Sequence, residues 1–347
     1  MIRGIMKDHD YFLSEIISDY TLYNQLPETI GLDISGSCNL NCVHCSQKKW
    51  YPRSGNMTIE TVLKLKEAFR HLRRISLNCN CEPLMNRHIA DIIRLIKKEN
   101  RDIFISFSTN GMLLHKRMSE KLLKSGINRI LFSIEGVDRS TYESLRRGAR
   151  FDVVITNIKD LVRLRQSTEN HLFEIGITTV AFKKTMAQLS ILLDLSSALK
   201  VDSLTIFGLE PYTKKMSKEI VYGKELCTTY DDILSEVREN AHTMNIKLRI
   251  PHLRIQNSSK CIPRGSIISW NGEVHPCAAL SYRRPYYYLG KRYMHPKITF
   301  GNINESDYLQ VWNGTDYVDF RRRLEKGDKP DFCKRCLIND GVIRVSR

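Results

Sequence analysis

The strongest constraint on the fold is a regular alternation of short β-type runs with amphipathic helical stretches over roughly the first 250 residues. Such alternation predicts βαβ units and a parallel sheet, with functional groups at the carboxyl ends of the strands. The predicted strands are Thr29–Ile34, Ile75–Cys79, Ile103–Ser108, Ile130–Ile134, Phe173–Val180 and Ser203–Phe207. The predicted helical stretches lie near 58–73, 87–99, 113–125, 139–146, 152–168, 184–199 and 225–245. We therefore predict an α/β fold in which six strands form an incomplete barrel or a strongly curved open sheet.

The pattern changes near residue 250, where polar turns, tyrosines and four cysteines replace the βα repeat. The sequence Asn-Gly-Glu at 271–273 stands between two β-type runs and predicts a hairpin. One further helical stretch is predicted at Tyr308–Glu325. We divide the chain into an N-terminal extension at 1–27, an α/β core at 28–250 and a smaller C-terminal domain at 251–347.

Charge and cysteine content narrow the class of protein. The 54 Lys and Arg residues exceed the 38 Asp and Glu residues, giving a net charge of +16, which suits an anionic partner if it is not simply a solvated surface. No apolar run approaches the ~18 residues of a membrane span, and Asp8 and Asp10 interrupt the start of the chain. We predict a cytoplasmic protein, in which ten partly clustered cysteines indicate metal binding or catalysis rather than disulfides.

The first cysteine cluster directly follows the first predicted strand. Cys38, Cys42 and Cys45 have the spacing C-x3-C-x2-C on one short loop. Three thiolates in this position can bind three irons of a cubane cluster and leave the fourth iron open to an exogenous ligand. A zinc knuckle is the alternative, but zinc sites usually use C-x2-C pairs and close with four protein ligands.

In this loop the chain resembles the radical SAM superfamily, whose three-cysteine motif also follows the first strand of the barrel. The resemblance continues at the next strand ends. The residues that it assigns to S-adenosylmethionine (SAM) are His44 against the adenine, Glu82 at the methionine amino group, Ser108, Thr109 and Asn110 of the STNG sequence, Ser133 of the SIEG sequence, and Arg146 or Arg147 at the methionine carboxylate.

This resemblance covers about residues 28–210 and implies a partial (βα)6 barrel with a [4Fe-4S] cluster chelated by SAM. It implies reductive cleavage of SAM to a 5′-deoxyadenosyl radical, which abstracts hydrogen from an unactivated carbon. The sequence departs from the family at Asn80 and Cys81, where the family prefers two glycines. Alternation along the second strand puts Cys79 on the face with Ile75, so we predict that it packs against the helices.

The C-terminal domain holds a second set of cysteines, Cys261, Cys277, Cys333 and Cys336. Four thiols are enough for one closed metal site, and their spacing leaves both zinc and iron open. The pattern C-x10-G-x4-C followed by C-x2-C resembles the SPASM and Twitch extensions of radical SAM barrels. Because no cysteine follows Cys336, this resemblance implies a single auxiliary [4Fe-4S] cluster with four protein ligands.

Cys79, Cys81 and Cys227 remain outside the two sets. Cys227 begins a helical stretch, and a structural role is the simpler interpretation for it. Some radical SAM epimerases need a hydrogen-donating thiol, so the resemblance makes Cys81 and Cys227 the catalytic candidates for such a reaction.

Taken together, the resemblance implies a radical SAM enzyme. We predict as substrate a ribosomally made peptide, modified by a crosslink, a thioether or an epimerisation. The alternative is dehydrogenation or epimerisation of an anionic small molecule, such as an aminosugar or a sugar nucleotide. Two other classes are a basic zinc-stabilised nucleic-acid-binding protein and an electron carrier, both disfavoured by the series of SAM motifs at strand ends.

The predicted partners are an acidic peptide or anionic small molecule and an external reductant such as flavodoxin or ferredoxin. Only 28 residues precede the first strand, so we expect a peptide either to dock directly or to need a separate recognition protein. The segment 281–297 mixes tyrosines with basic residues, and we interpret it as a β edge or as a lining for an anionic substrate. Neither a membrane nor nucleic acid is expected as a partner.

Overall fold

The structure is a computed structural model that describes residues 26–51, 55–168, 172–225, 227–255, 261, 264–338 and 340–342. Its strands are β1 (Thr29–Leu32), β2 (Arg74–Ser76), β3 (Phe104–Thr109), β4 (Arg129–Ser133), β5 (Glu174–Ala181), β6 (Ser203–Gly208), β7 (Lys247–Arg249), β8 (Gly265–Ile268), β9 (Glu273–His275), β10 (Arg284–Tyr288), β11 (Lys291–His295) and β12 (Gly301–Asn302). Its helices are α1 (Gln47–Trp50), α2 (Ile59–Leu63), α3 (Lys66–Phe69), α4 (Ile89–Glu99), α5 (Lys116–Ser125), α6 (Arg139–Leu145), α7 (Phe151–Ser167), α8 (Leu189–Ala198), α9 (Thr228–Thr243), α10 (Tyr308–Trp312) and α11 (Thr315–Glu325). Up to position 25, the predicted N-terminal extension lies outside the described residues.

The six predicted strands form one sheet, as the alternation indicates. β1 to β6 lie side by side in chain order and are parallel throughout. A short parallel strand that the sequence pattern did not predict, β7, continues the sheet beyond β6. The α/β fold with parallel strands is confirmed, and the carboxyl ends of the strands meet at one edge of the sheet.

Helices cover this sheet because their apolar residues recur on one side. In α4 the buried isoleucines are Ile89, Ile92, Ile93 and Ile96, which have the i, i+3, i+4, i+7 spacing of one helical face. They join the same apolar core as Ile30 and Leu32 of β1. No helix in the described part of the chain is both long and apolar enough to cross a bilayer.

The C-terminal part is joined to this sheet. β8 pairs in parallel with β1, so that Thr29 lies opposite Gly265 and Leu32 opposite Ile268. β9 and β12 then continue the sheet as antiparallel strands, while β10 and β11 form a separate antiparallel pair. The hairpin predicted around Asn271 is the β8–β9 connection. The domain boundaries at 27 and 250 stay predictions.

The two faces of β1 separate the core from the interior of the curved sheet. Gly31 faces the interior, where the Cys79 thiol and the Ile267 side chain occupy the space that a Cβ would fill. Asp33 follows two residues later on the same side. The prediction that Cys79 packs against the helices is therefore wrong. β2 ends at Ser76, so its period-two alternation does not extend to residue 79.

Candidate functional site

A cavity of about 410 Å³ at the carboxyl ends of the strands brings together most of the predicted site residues. Those that line it are Cys38, Cys42, His44, Cys45, Cys81, Glu82, Ser108, Thr109, Asn110, Ser133 and Arg146. They come from the loop after β1, the turn after β2, the ends of β3 and β4, and the residue after α6. Residues distant in sequence converge here because parallel strands present their carboxyl ends on one side.

The loop after β1 holds its three thiols in a poorly solvated position. Burial raises the pKa of Cys42 to about 12; Arg146 opposes this rise, and the thiols of Cys45 and Cys38 add to it. Arg146 Nη1 lies 3.8 Å from Cys42 Sγ, and Asn110 Nδ2 lies 3.9 Å from Cys38 Sγ. Bound iron would relieve the cost of ionising these thiols, since a coordinating thiol is held deprotonated by the metal. The donor set therefore fits a thiolate-ligated cluster.

Two tyrosines outside the motif hold this loop. Tyr212 Oη donates to the carbonyl of Val43 at 2.7 Å and to that of Cys45 at 2.9 Å. Tyr282 Oη lies 2.5 Å from Ser46 Oγ. Tyr212 follows β6 and Tyr282 precedes β10, so the shape of the loop depends on residues that the motif does not include.

Glu82 is oriented by the residues of the third strand. Its Oε1 accepts a hydrogen bond from Thr109 Oγ1 at 2.7 Å, and its Oε2 accepts one from the Asn110 N–H at 2.8 Å. Burial raises the pKa of this carboxyl, while those hydrogen bonds lower it. Asn110 Nδ2 also donates to Asn39 Oδ1 at 2.8 Å, which ties the carboxylate to the cysteine loop. A carboxylate fixed in this way suits an ammonium ligand in the cavity.

The two predicted serines lie along the same wall. The Ser108 N–H donates to Asn78 Oδ1 at 2.8 Å, so the end of β3 is tied to the turn after β2. Ser133 Oγ accepts a hydrogen bond from Thr178 Oγ1 of β5 at 3.3 Å. Both positions leave polar groups on the cavity wall where the family resemblance expects contact with SAM.

Arg146 is paired with a carboxylate that the motif analysis did not single out. Its Nε and Nη2 donate to the two oxygens of Glu135, the second at 2.8 Å. Burial alone would raise the pKa of Glu135, but the charge and the hydrogen bonds of Arg146 outweigh burial and hold this pKa below its ordinary value of 4.5. Arg147, the alternative, is exposed. Of the two arginines, the structure brings Arg146 to the cavity; its role at the methionine carboxylate stays a prediction.

His44 is a neutral aromatic group in this wall. Burial lowers its pKa to about 4, although Glu135 acts in the opposite direction. Its ring meets Phe182 edge-on at 5.5 Å between centroids, and its Nε2 lies 3.7 Å from Glu135 Oε1. The side chain therefore presents an uncharged ring in the position where the resemblance expects a residue against the adenine.

Asn80, which stands where the family prefers the first of two glycines, is hydrogen-bonded to Asp33. Asp33 Oδ1 accepts hydrogen bonds from the Cys79 N–H at 2.6 Å and the Asn80 N–H at 2.8 Å. Asn80 Nδ2 donates to Asp33 Oδ2 at 2.5 Å and to Ser281 Oγ at 3.2 Å. The side chain at position 80 thus joins the turn after β2 to the C-terminal part of the chain.

The two catalytic candidates separate in the structure. Cys81 lines the cavity. Cys227 is exposed at the residue before α9, where its carbonyl accepts hydrogen bonds from the N–H groups of Tyr230 and Asp231. Cys227 is not among the residues that line the cavity, so the geometry favours its structural interpretation.

The second set of cysteines also converges. Cys261, Cys277, Cys333 and Cys336 line a small cavity of about 30 Å³ between β9 and α11. Burial raises the pKa of Cys333, and the nearby thiols of the other three cysteines add to the rise. Four thiols that line one small cavity are a donor set suited to an iron–sulfur cluster with cysteine ligands only.

A polar network that the sequence analysis missed lies between the two cavities. Glu210 lines the larger cavity and accepts hydrogen bonds from Arg284 Nη2 at 2.6 Å and from His295 Nε2 at 3.2 Å. Burial would raise the pKa of Glu210, but Arg284 and His295 lower it to about 2. His295 lines the smaller cavity. Glu210 lies three residues after the predicted strand that ends at Phe207, so an acidic residue close to a strand end was the available signal.

Comparison with known families identifies one domain in the α/β part of the chain and one in the C-terminal part. The model of the radical SAM superfamily matches residues 32–189. The chain therefore contains a radical SAM domain. The model of the SPASM iron–sulfur cluster-binding domain matches residues 261–337 of this radical SAM protein. It is therefore an enzyme that binds a [4Fe-4S] cluster, SAM and an auxiliary iron–sulfur cluster, and the zinc alternatives are wrong.

Individual proteins resemble the chain over most of its length. The chain is 27% identical over 315 residues to the tungsten-containing aldehyde ferredoxin oxidoreductase cofactor-modifying protein of Pyrococcus furiosus, covering 89% of this chain and 87% of that protein. The crystal structure of Streptococcus suis SuiB bound to precursor peptide SuiA superposes with a TM-score of 0.67 at 18% identity, over 94% of this chain and 74% of SuiB. Native anSMEcpe with bound AdoMet superposes with a TM-score of 0.59 at 16% identity, over 90% of this chain and 87% of that one.

Proposed function

We propose that this radical SAM enzyme abstracts hydrogen from a ribosomally made peptide. The observation that carries the chemistry is the convergence of three thiols, the oriented Glu82 carboxylate and the Arg146 guanidinium on one cavity of about 410 Å³. A cavity of this size is typical of small-molecule and cofactor sites.

In this proposal the cysteines of the cavity wall bind the cluster, and the other residues of the wall bind SAM. Cys38, Cys42 and Cys45 hold the SAM-binding cluster, and Glu82 binds the methionine ammonium. The adenosine lies along His44 and the polar wall formed by the ends of β3 and β4. When bound and reduced, the cluster and SAM supply the 5′-deoxyadenosyl radical that removes a hydrogen atom from substrate. The protein orients the ligand and excludes water, which the buried ion pair and hydrogen bonds described above support.

The second set of cysteines would hold the auxiliary cluster. Cys261, Cys277, Cys333 and Cys336 supply four thiolates, so no coordination position on that cluster is assigned to substrate. The Glu210–Arg284–His295 network separates it from the larger cavity. A cluster held there would supply an electron acceptor rather than a coordination site for the substrate.

A peptide substrate is supported by three observations. SuiB, whose structure was solved with a precursor peptide, shares its fold with this chain over 94% of the residues. The net charge of +16 suits an acidic peptide. The cavity is walled on one side by Tyr282 and Arg284 of the SPASM part, so a substrate entering it meets both parts of the chain.

The test is an anaerobic incubation of the reconstituted enzyme with SAM, dithionite and each short peptide that is encoded near its gene. We expect 5′-deoxyadenosine and a peptide whose mass differs from that of the starting material, both measured by liquid chromatography and mass spectrometry. Glu82→Gln should lose most of the SAM binding while keeping its iron. Glu67→Gln, which changes an exposed carboxylate to the same amide, is the matched control.

An unchanged peptide alongside turnover of an aminosugar or a sugar nucleotide would reject the peptide proposal. The external reductant, a separate recognition protein and the cytoplasmic location stay predictions. Cys81 remains the proposed hydrogen donor if the product is an epimer. In that case, Cys81→Ser should yield 5′-deoxyadenosine without the epimerised peptide.

A further inference from the structure

The outer edge of β11 presents backbone groups that are open to pairing. Pro285 lies opposite Met294, and Tyr287 lies opposite Arg292. The Tyr287 N–H donates to the Pro211 carbonyl at 2.7 Å, on the side of β10 away from β11, and Pro285 has no N–H. Because hydrogen-bonded and non-hydrogen-bonded pairs alternate in an antiparallel ladder, Arg292 and Met294 direct their N–H and C=O groups outward.

The turn between β10 and β11 also indicates that the backbone groups of Arg292 and Met294 point outward. Leu289 and Gly290 both have positive φ, 48° and 78°, as in the two-residue turns that close a hydrogen-bonded pair. Tyr288 and Lys291 are that closing pair. Within the described residues, no strand pairs with the outer edge of β11, and no other backbone group hydrogen-bonds to the outward N–H and C=O groups of Arg292 or Met294.

This edge is basic and lies beside a groove. Lys291, Arg292 and Met294 are all exposed. A groove of about 640 Å³ adjoins the hairpin and is lined by Lys224, Glu225, Tyr288, Leu289, Lys291, Tyr293 and Arg335. The Arg335 guanidinium lies 4.8 Å from the centre of the Tyr293 ring. Cations outnumber the single carboxylate of this lining, so the groove and edge are complementary to an acidic segment.

The edge also leads to the proposed active site. β11 runs from the exposed Lys291 to the buried His295, about 13 Å at ~3.3 Å per residue. His295 Nε2 lies 3.2 Å from Glu210 Oε1, and Glu210 lines the cavity of about 410 Å³. A strand that pairs with β11 is therefore directed along the SPASM part toward the wall of that cavity.

We propose that an acidic, extended segment of the peptide substrate docks on β11 as an added strand, with its carboxylates against Lys291, Arg292, Lys224 and Arg335. Main-chain hydrogen bonds to the outward groups of Arg292 and Met294 give affinity, and the cations select acidic sequences. This docking site rests on the proposed peptide-modifying function. It means that this chain itself, rather than a separate protein, recognises the acidic segment of the substrate. Pairing with a second copy of β11 is disfavoured, since it would place the same cations against each other.

The test is a binding measurement that needs no turnover. The probe is a fluorescein-labelled peptide of about twelve alternating Glu and Val residues, which is long enough to span one strand. The reconstituted full chain is added to this peptide in the presence of SAM, and binding is followed by fluorescence anisotropy. We expect saturable binding that weakens with salt. Lys291→Glu with Arg292→Glu should weaken it by about tenfold or more, because two attractions become repulsions. Met294→Pro, which removes one outward N–H from an edge position that tolerates proline, should weaken it severalfold.

The matched control is Lys98→Glu with Arg101→Glu, which reverses two exposed cations of the separate basic patch on and just after α4. Equal weakening by the control pair, or no binding of the acidic peptide, would overturn the docking site. So would stronger displacement by single-stranded RNA than by unlabelled peptide, or a dimer that Met294→Pro converts to monomer. Formation of 5′-deoxyadenosine with the precursor peptide is measured separately, so loss of docking is distinguishable from failure of the proposed chemistry.

Discussion

The ion pair between Arg146 and Glu135 is a buried contact in the cavity wall, and Glu135→Gln tests how much it stabilises the fold. The substitution keeps the size of the side chain but removes its charge. Glu135 is 1% exposed and Arg146 10% exposed, so the arginine would be left as an uncompensated buried cation beside Cys42. Removing one partner of a buried pair typically costs about 3–5 kcal/mol in the free energy of unfolding.

We take the lower value, about 3 kcal/mol, because the amide oxygen can still accept one of the two hydrogen bonds. At about 2–4 °C per kcal/mol for a large domain, the melting temperature should fall by about 6–12 °C. The exposed pair Arg70–Glu67 has the same chemistry, 2.7 Å apart with side chains 49% and 58% exposed. Glu67→Gln should cost no more than about 1 kcal/mol.

The assay compares thermal unfolding of the two variants and the parent, all reconstituted under the same anaerobic conditions. Glu135→Leu combined with Arg146→Met should recover much of the lost stability, since it removes both buried charges. The sign of the pH dependence follows from the depressed pKa of Glu135: its contribution is complete above the ordinary value of 4.5 and is lost as the pH falls through the lower, folded value. If Glu135→Gln and Glu67→Gln have the same melting temperature, the Arg146–Glu135 ion pair does not stabilise the cavity wall and the reasoning is refuted.

Three further results are expected. Cys42→Ala should leave about four of about eight irons per chain and abolish SAM cleavage. Cys336→Ala should lose the auxiliary iron but still bind SAM, as measured by iron analysis and equilibrium dialysis. Tyr212→Phe removes the two hydrogen bonds to carbonyls of the cysteine loop and should speed loss of cluster iron to a chelator, measured well below the melting temperature of the variant. Gly208→Ala would drive a methyl group into the Val342 carbonyl and should expose the C-terminal segment to limited proteolysis; protection equal to that of the parent would contradict that contact.

Much of the proposed site was predictable because it follows strand ends. Glu82, Thr109 and Asn110 were assigned from their motifs, and the structure joins them through direct hydrogen bonds. Glu135 lies inside the SIEG sequence that was recognised for its serine, yet its pairing with Arg146 depends on how the chain returns after α6. Cys79 was misplaced because the strand is shorter than its apolar pattern suggests.

The sequence by itself determined the βα alternation, the two cysteine sets and the family, since periodicity and motif spacing are local properties that survive without knowledge of contacts. Only the tertiary structure decided which groups face each other. The parallel pairing of β8 with β1, the contact of Asn80 with Ser281 and the Glu210–Arg284–His295 network join residues from both parts of the chain. No local pattern records such contacts, because each one is fixed by the packing of the SPASM part against the end of the barrel.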